Sequence, residues 1–100
     1  MYIYNVTLNV ASDVHEQWLD WMKKKHIPDV MKTGCFLENR ILKVLYVEDE
    51  GHTYSVQYSF SEMSDIERYQ REFAQALQAE HKALFGEKYA AFRTLLQVVD

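Results

Sequence analysis

Over residues 2–10 the side chains alternate. Tyr2, Tyr4, Val6, Leu8 and Val10 fall on one side, and Ile3, Asn5, Thr7 and Asn9 on the other. A period of two is the mark of a strand with one buried face. Ser12 and Asp13 then supply helix-starting chemistry, and Asp13 with Glu16 has the spacing of a capping box. Val14, Trp18 and Met22, flanked by Leu19 and Trp21, form the apolar stripe of a first helix that should run to about Lys25 or His26. Pro28 biases Ile27 away from helical dihedrals, so the helix is expected to stop there. Pro28 can itself open a short helical turn, which Gly34 would close.

Residues 36–47 read as a second strand. Glu38, Asn39 and Arg40 make its first half polar, whereas Ile41 to Val47 is apolar on both faces apart from Lys43. The charged stretch 48–52 contains Gly51 and suits a hairpin. Residues 53–60 alternate again, with Tyr54, Val56, Tyr58 and Phe60 opposite Ser55, Gln57 and Ser59. Ser64 and Glu67 have capping-box spacing and should start a second helix, whose stripe is Ile66, Tyr69, Phe73, Leu77 and Leu84. Gly86 would end it. A last strand is expected over 89–99, apolar on both faces near its end.

The order is strand, helix, strand, strand, helix, strand. The stretch from Tyr2 to Val14 also echoes Tyr54 to Ile66 at one constant offset, so a strand-to-helix unit occurs twice. That order defines an α+β, ferredoxin-like βαββαβ fold: a four-stranded antiparallel sheet with two helices on one face. The second and fourth strands carry apolar residues on both sides. A sheet with one wet face has no use for these, and a second sheet packed on it would bury them. A homodimer is therefore expected, two sheets face to face as a dimeric α/β barrel.

One hundred residues suffice for a single domain over 1–100. The formal net charge of −4 argues against nucleic acid as a partner. The one basic run, Lys23-Lys24-Lys25, lies between Asp20 and Asp29 and reads as a solvated helix end. Cys35 is the only cysteine, which excludes an internal disulfide and suits a cytoplasmic location. The chain opens at once on a strand pattern, so no secretory leader is expected, and no run is long and apolar enough for a membrane span.

Several residues could carry chemistry. His26, at the expected end of the first helix, would be favoured in its charged form by the exposed carbonyls and could titrate near neutral pH as an acid/base. The plainer reading is a cap. Trp18 and Trp21 could wall a ligand site, or simply pack the core. On the other sheet face Asn5, Thr7, Asn9 and Gln57 offer hydrogen bonds but neither acid nor base. Arg40 or Arg93 could fix an anionic ligand in the space between two sheets. His15, His52 and His81 have no metal spacing, and no phosphate loop or metal motif occurs, so neither metal nor cofactor is expected.

The opening MYIYNVTLNV, the segment HEQWLDWMKKKHIPDVMKTG, the strand TYSVQY and the final FRTLLQVV resemble a family of small bacterial proteins, known mainly from Bacteroidetes, that is grouped as a domain of unknown function. The element order, with His26-Ile27-Pro28 after the first helix and Gly34 before the second strand, resembles the dimeric α/β-barrel superfamily. That likeness implies dimerisation and a pocket between helices and sheet. It implies no shared mechanism, because members include small monooxygenases, lactone isomerases and other cofactor-free enzymes. His26 and Pro28 match a His-x-Pro step of some enzyme branches, and no other residue of those sites can be carried over. Three readings follow. The first is a non-catalytic homodimer that binds a small molecule or serves as an interaction module. The second is a cofactor-independent monooxygenase- or isomerase-like enzyme with His26 as acid/base. The third is a structural dimer with a filled interior.

Overall fold

The computed structural model describes residues 1–48 and 50–100. The first alternating stretch is strand β1 (Tyr2–Val10), and the third strand, β3 (His52–Phe60), pairs with it over its whole length. With β2 (Glu38–Lys43) and β4 (Tyr89–Gln97) they form one antiparallel sheet in the order β2-β3-β1-β4. Its register sets Tyr4 opposite Tyr58 and Leu95, and Leu8 opposite Tyr54 and Ala91. Directly opposed residues share a face. Tyr4, Leu8, Val10, Val56, Tyr58 and Phe60 therefore lie under the helices, all nearly inaccessible to water. The fold is ferredoxin-like, as the element order predicts.

Two strands end earlier than expected, because their partners run out. β2 stops at Lys43 rather than at residue 47. Val44 N–H still donates to Thr53 O at 2.9 Å, but β3 begins at His52 and leaves later residues nothing to pair with. Tyr46 then turns away at φ 58° and is fully exposed. β4 stops at Gln97, opposite Tyr2 at the start of β1. The hairpin expected over 48–52 includes Asp49, which lies outside the described residues.

The helices depart further from the reading. α1 (His15–Trp21) has Val14 at its N-cap and no side-chain cap. Asp13 is drawn instead to Lys88, 2.7 Å away. The expected stop before Pro28 does not occur. The chain passes through a π-helical turn, Met22–His26, into α2 (Ile27–Lys32), and Ile27 is fully helical at φ −61°, ψ −45°. Ile27 N–H reaches back five residues to Met22 O. A proline at position 28 cannot donate to Lys24 O, and its ring crowds that carbonyl in an α-helix. Widening the preceding turn relieves the clash, and the helix continues. Gly34 does close α2, in the left-handed region at φ 77°.

The last helix is two. α3 (Met63–Glu72) starts at Glu62, whose N–H donates to Asp65 Oδ2 at 3.0 Å, so the expected Ser64–Glu67 box is not used. The helix breaks at Phe73 (φ −126°, ψ −34°) and resumes as α4 (Ala74–Phe85). The break rotates the inward face. Ile66 and Tyr69 point to the core from α3, but from α4 it is Ala74, His81 and Phe85, while Leu84 lies outside. Between helices and sheet the core is heavily aromatic: Phe36 packs against Tyr4, Tyr58 and Tyr69.

Candidate functional site: a polar cavity under the helices

The bent helices leave a small hole against the sheet. Tyr4, Val6 and Leu8 of β1 and Val56 and Tyr58 of β3 form its floor. Met22, His26 and Val30 close one side, Tyr69, Gln78 and His81 the other, and Arg93 stands at the β4 edge. The enclosed space is about 30 Å³, room for one or two waters. The π turn and the break at Phe73 both aim side chains here. The widened turn holds Met22 and His26 on the inward side, and the rotation of α4 brings in Gln78 and His81.

Two polar atoms on this lining have no partner. His26 Nδ1 and the Tyr58 hydroxyl are both buried without a hydrogen bond. Burying an unpaired polar group costs free energy, so such atoms call for water or a ligand. His26 is 9% exposed, and burial pushes its imidazole down to about 4, against the upward pull of the Asp29 carboxylate. It is therefore not the charged helix-end residue anticipated. It is inside a continuous helical run, buried, and neutral at physiological pH.

His81 lies 5.4 Å from His26, ring to ring, and stacks on Tyr89 at 3.9 Å. Trp18 Nε1 donates to His81 Nε2 at 2.9 Å. An indole N–H can only donate, so Nε2 carries the lone pair and the ring proton sits on Nδ1. Burial, with help from His26 and Arg93, pushes His81 down to about 3. Burial also raises the phenols of Tyr58, Tyr69 and Tyr4 above the usual tyrosine range. For Tyr4 the nearby Arg93, whose Nε donates to the hydroxyl at 3.1 Å, opposes that rise only in part. The interior thus offers uncharged donors and acceptors.

A wider hollow of about 300 Å³ adjoins the hole. It is lined by Gln78, Lys82, Gly86, Tyr89, Ala91 and Arg93. Gln78 and Arg93 belong to both linings, so the hollow lies against the cavity at these two side chains.

The residues singled out in the sequence divide between two places. His26 and Arg93 line the cavity, whereas Trp18 and Trp21 stand behind it. Trp18 is fully buried and serves His81; Trp21 packs on His26, His81 and Phe85. Arg93 is on the helix side, not in a space between sheets. Its neighbours in the β4 sequence, Phe92 and Thr94, take the other side, opposite Thr7 and Asn5. On that open face Ser55 Oγ donates to Asn5 Oδ1 at 2.6 Å, Asn5 Nδ2 to Thr7 Oγ1 at 3.1 Å and Gln57 Nε2 to Ser55 Oγ at 3.3 Å. Asn9 is spent on the hairpin, donating to Glu50 O at 2.9 Å and Thr53 Oγ1 at 3.1 Å. Sequence reasoning missed His81, Gln78 and the tyrosine hydroxyls. A buried Trp18 needs an acceptor, and His81 is on the same helix as Ala74 and Phe85 at helical spacing; those were the available signals. Among the described residues no three His, Cys, Asp or Glu side chains come together as a metal site, and no helix is long and apolar enough to cross a membrane.

This architecture is that of the dimeric ferredoxin-like proteins and their relatives. A dimeric ferredoxin-like protein from an uncultured marine organism superposes with a TM-score of 0.76 at 13% identity, over 99% of this chain and 96% of that one. An ethyl tert-butyl ether d (EthD) family protein from Bacillus halodurans gives 0.73 at 8%, over 99% and 100%. The cofactor-independent oxygenase SnoaB from Streptomyces nogalater gives 0.71 at 8%, over 99% and 94%. At such identities the likeness establishes the fold. The chain belongs to the family described as Domain of unknown function (DUF4286), whose model matches residues 1–99. Among the curated proteins none matches it.

Proposed function

We propose that the chain is a single cytoplasmic domain that acts as a homodimer and binds a small molecule in the cavity between helices and sheet. One observation carries the binding site: two buried, partnerless polar atoms, His26 Nδ1 and the Tyr58 hydroxyl, line the same hole. Binding is favoured over catalysis because an imidazole held near 4 is a weak base at neutral pH.

The homodimer is supported by the open sheet face. Phe92 is 63% exposed there and Leu96 40%, around a polar centre whose side chains already satisfy one another. A second copy would cover these apolar residues. Structures of this fold that are described as dimeric agree with it. The free, buried thiol of Cys35 suits a reducing compartment.

Gln78 stands between hollow and cavity, half-buried, and Gln78→Trp should plug the cavity. Saturation-transfer NMR with a set of small aromatic fragments should find binders to the wild type that the plugged, folded variant loses. Binding that is indifferent to the plug would place the ligand elsewhere.

A further inference from the structure

We infer that the cavity takes an organic anion: a small aromatic carboxylate with a hydroxyl or carbonyl at its far end. This deepens the ligand-binding reading and rests on it. Charge and shape point to it. The protein as a whole is acidic, with a net charge of −4. Yet among the described residues no carboxylate lines the cavity or the hollow beside it, and two cations line that hollow, Lys82 and Arg93. Among the described residues neither forms an ion pair, a state they share with most of the chain's Lys and Arg, so both are available to a ligand. Arg93 is committed only through Nε, to Tyr4, and that bond fixes the guanidinium in place. A planar guanidinium held by one edge is a carboxylate fork.

The interior sets the other end. About 30 Å³ admits a hydroxyl or carbonyl but not a ring. There it meets His26 Nδ1 and the Tyr58 hydroxyl, the two lining atoms that lack partners. Both are neutral, as is His81, so a second charge would be unwelcome at that depth. The ring then lies in the 300 Å³ hollow, beside Tyr89 and Ala91. Tyr89 is held flat by its stack on His81 and offers a rigid aromatic wall.

The test compares 4-hydroxybenzoate with 4-hydroxybenzamide, which has the same shape without the charge. Calorimetric titration into the wild type should show the acid binding about tenfold more tightly or better, and that preference should shrink as salt is raised. In Arg93→Gln the acid-over-amide ratio should fall towards one, and Lys82→Gln should lower it less. Both side chains are exposed, so these variants should fold, and circular dichroism checks it. Equal binding of acid and amide, both lost in Gln78→Trp, would overturn the anion inference and leave the binding site standing. If neither probe binds, this ligand class is wrong. If no fragment of any charge shows plug-sensitive binding, the site itself falls.

Discussion

At the scale of single residues, the histidines give the sharpest expectation. His26 and His81 are held near 4 and 3 in the fold, against about 6.5 in an unfolded chain. Their folded values are depressed, so between those limits the unfolded chain binds more protons. The stability they allow is fully present above about pH 6.5 and is lost as pH falls towards 4. For His26 the loss approaches about 3 kcal/mol, and His81 adds to it. His15 shifts in the same direction, whereas the lowered carboxyls of Asp13 and Asp29 matter only below 3.8. Urea unfolding at fixed protein concentration should show stability falling by several kcal/mol from about pH 7 to pH 4.5. A flat profile over that range would mean that these imidazoles titrate freely. None of this was legible in the sequence. His26 beside Pro28 looked like a helix end, where charge is favoured, and only the π turn shows that it is buried.

At the scale of elements, strands were legible and helix details were not, for one reason. A strand's pattern repeats every two residues and is hard to mistake, so β1 and β3 are where alternation put them. Helix stripes survive a break or a widened turn in outline while the inward face shifts by a residue. Leu77 and Leu84 fit the stripe of one continuous helix, and Leu77 does pack on the core, but the interruption at Phe73 leaves Leu84 outside and gives the buried places to Ala74, His81 and Phe85. Turns are different again, since sterics at one residue decide them. Gly51 sits at φ 86°, and a Cβ there would stand 2.6 Å from Val10 O. Gly86 also has a positive φ, 55°, with ψ −123°, a backbone that glycine alone adopts without strain, but it has open space around it. Gly86→Ala should therefore cost about 2 kcal/mol from backbone strain alone, and Gly51→Ala clearly more, because main chain must also move. Thermal melts of the two variants make the comparison; equal costs would show that the β2–β3 connection gives way easily.

At the scale of the whole molecule, the sheet separates two tasks. Its helix side carries the cavity, and its open side carries Phe92, Leu96 and the Asn5–Ser55–Gln57 network. Sedimentation equilibrium of the wild type should give twice 11.9 kDa. Phe92→Glu would set a charge in the middle of the apolar contact that a second copy would make on this face, and should yield monomers at micromolar concentration. A wild type that already sediments at 11.9 kDa would count against the homodimer. The alternation of side chains along β1, β3 and β4 has a consequence for how such a protein can change. Two messages are interleaved letter by letter along the same strands, one facing the helices and the other the open side. Point substitutions can revise either message without garbling the other. Adding or dropping one residue within a strand exchanges them wholesale, sending asparagine and serine inward and tyrosine outward. Strand length should therefore be the property on which this family has least freedom.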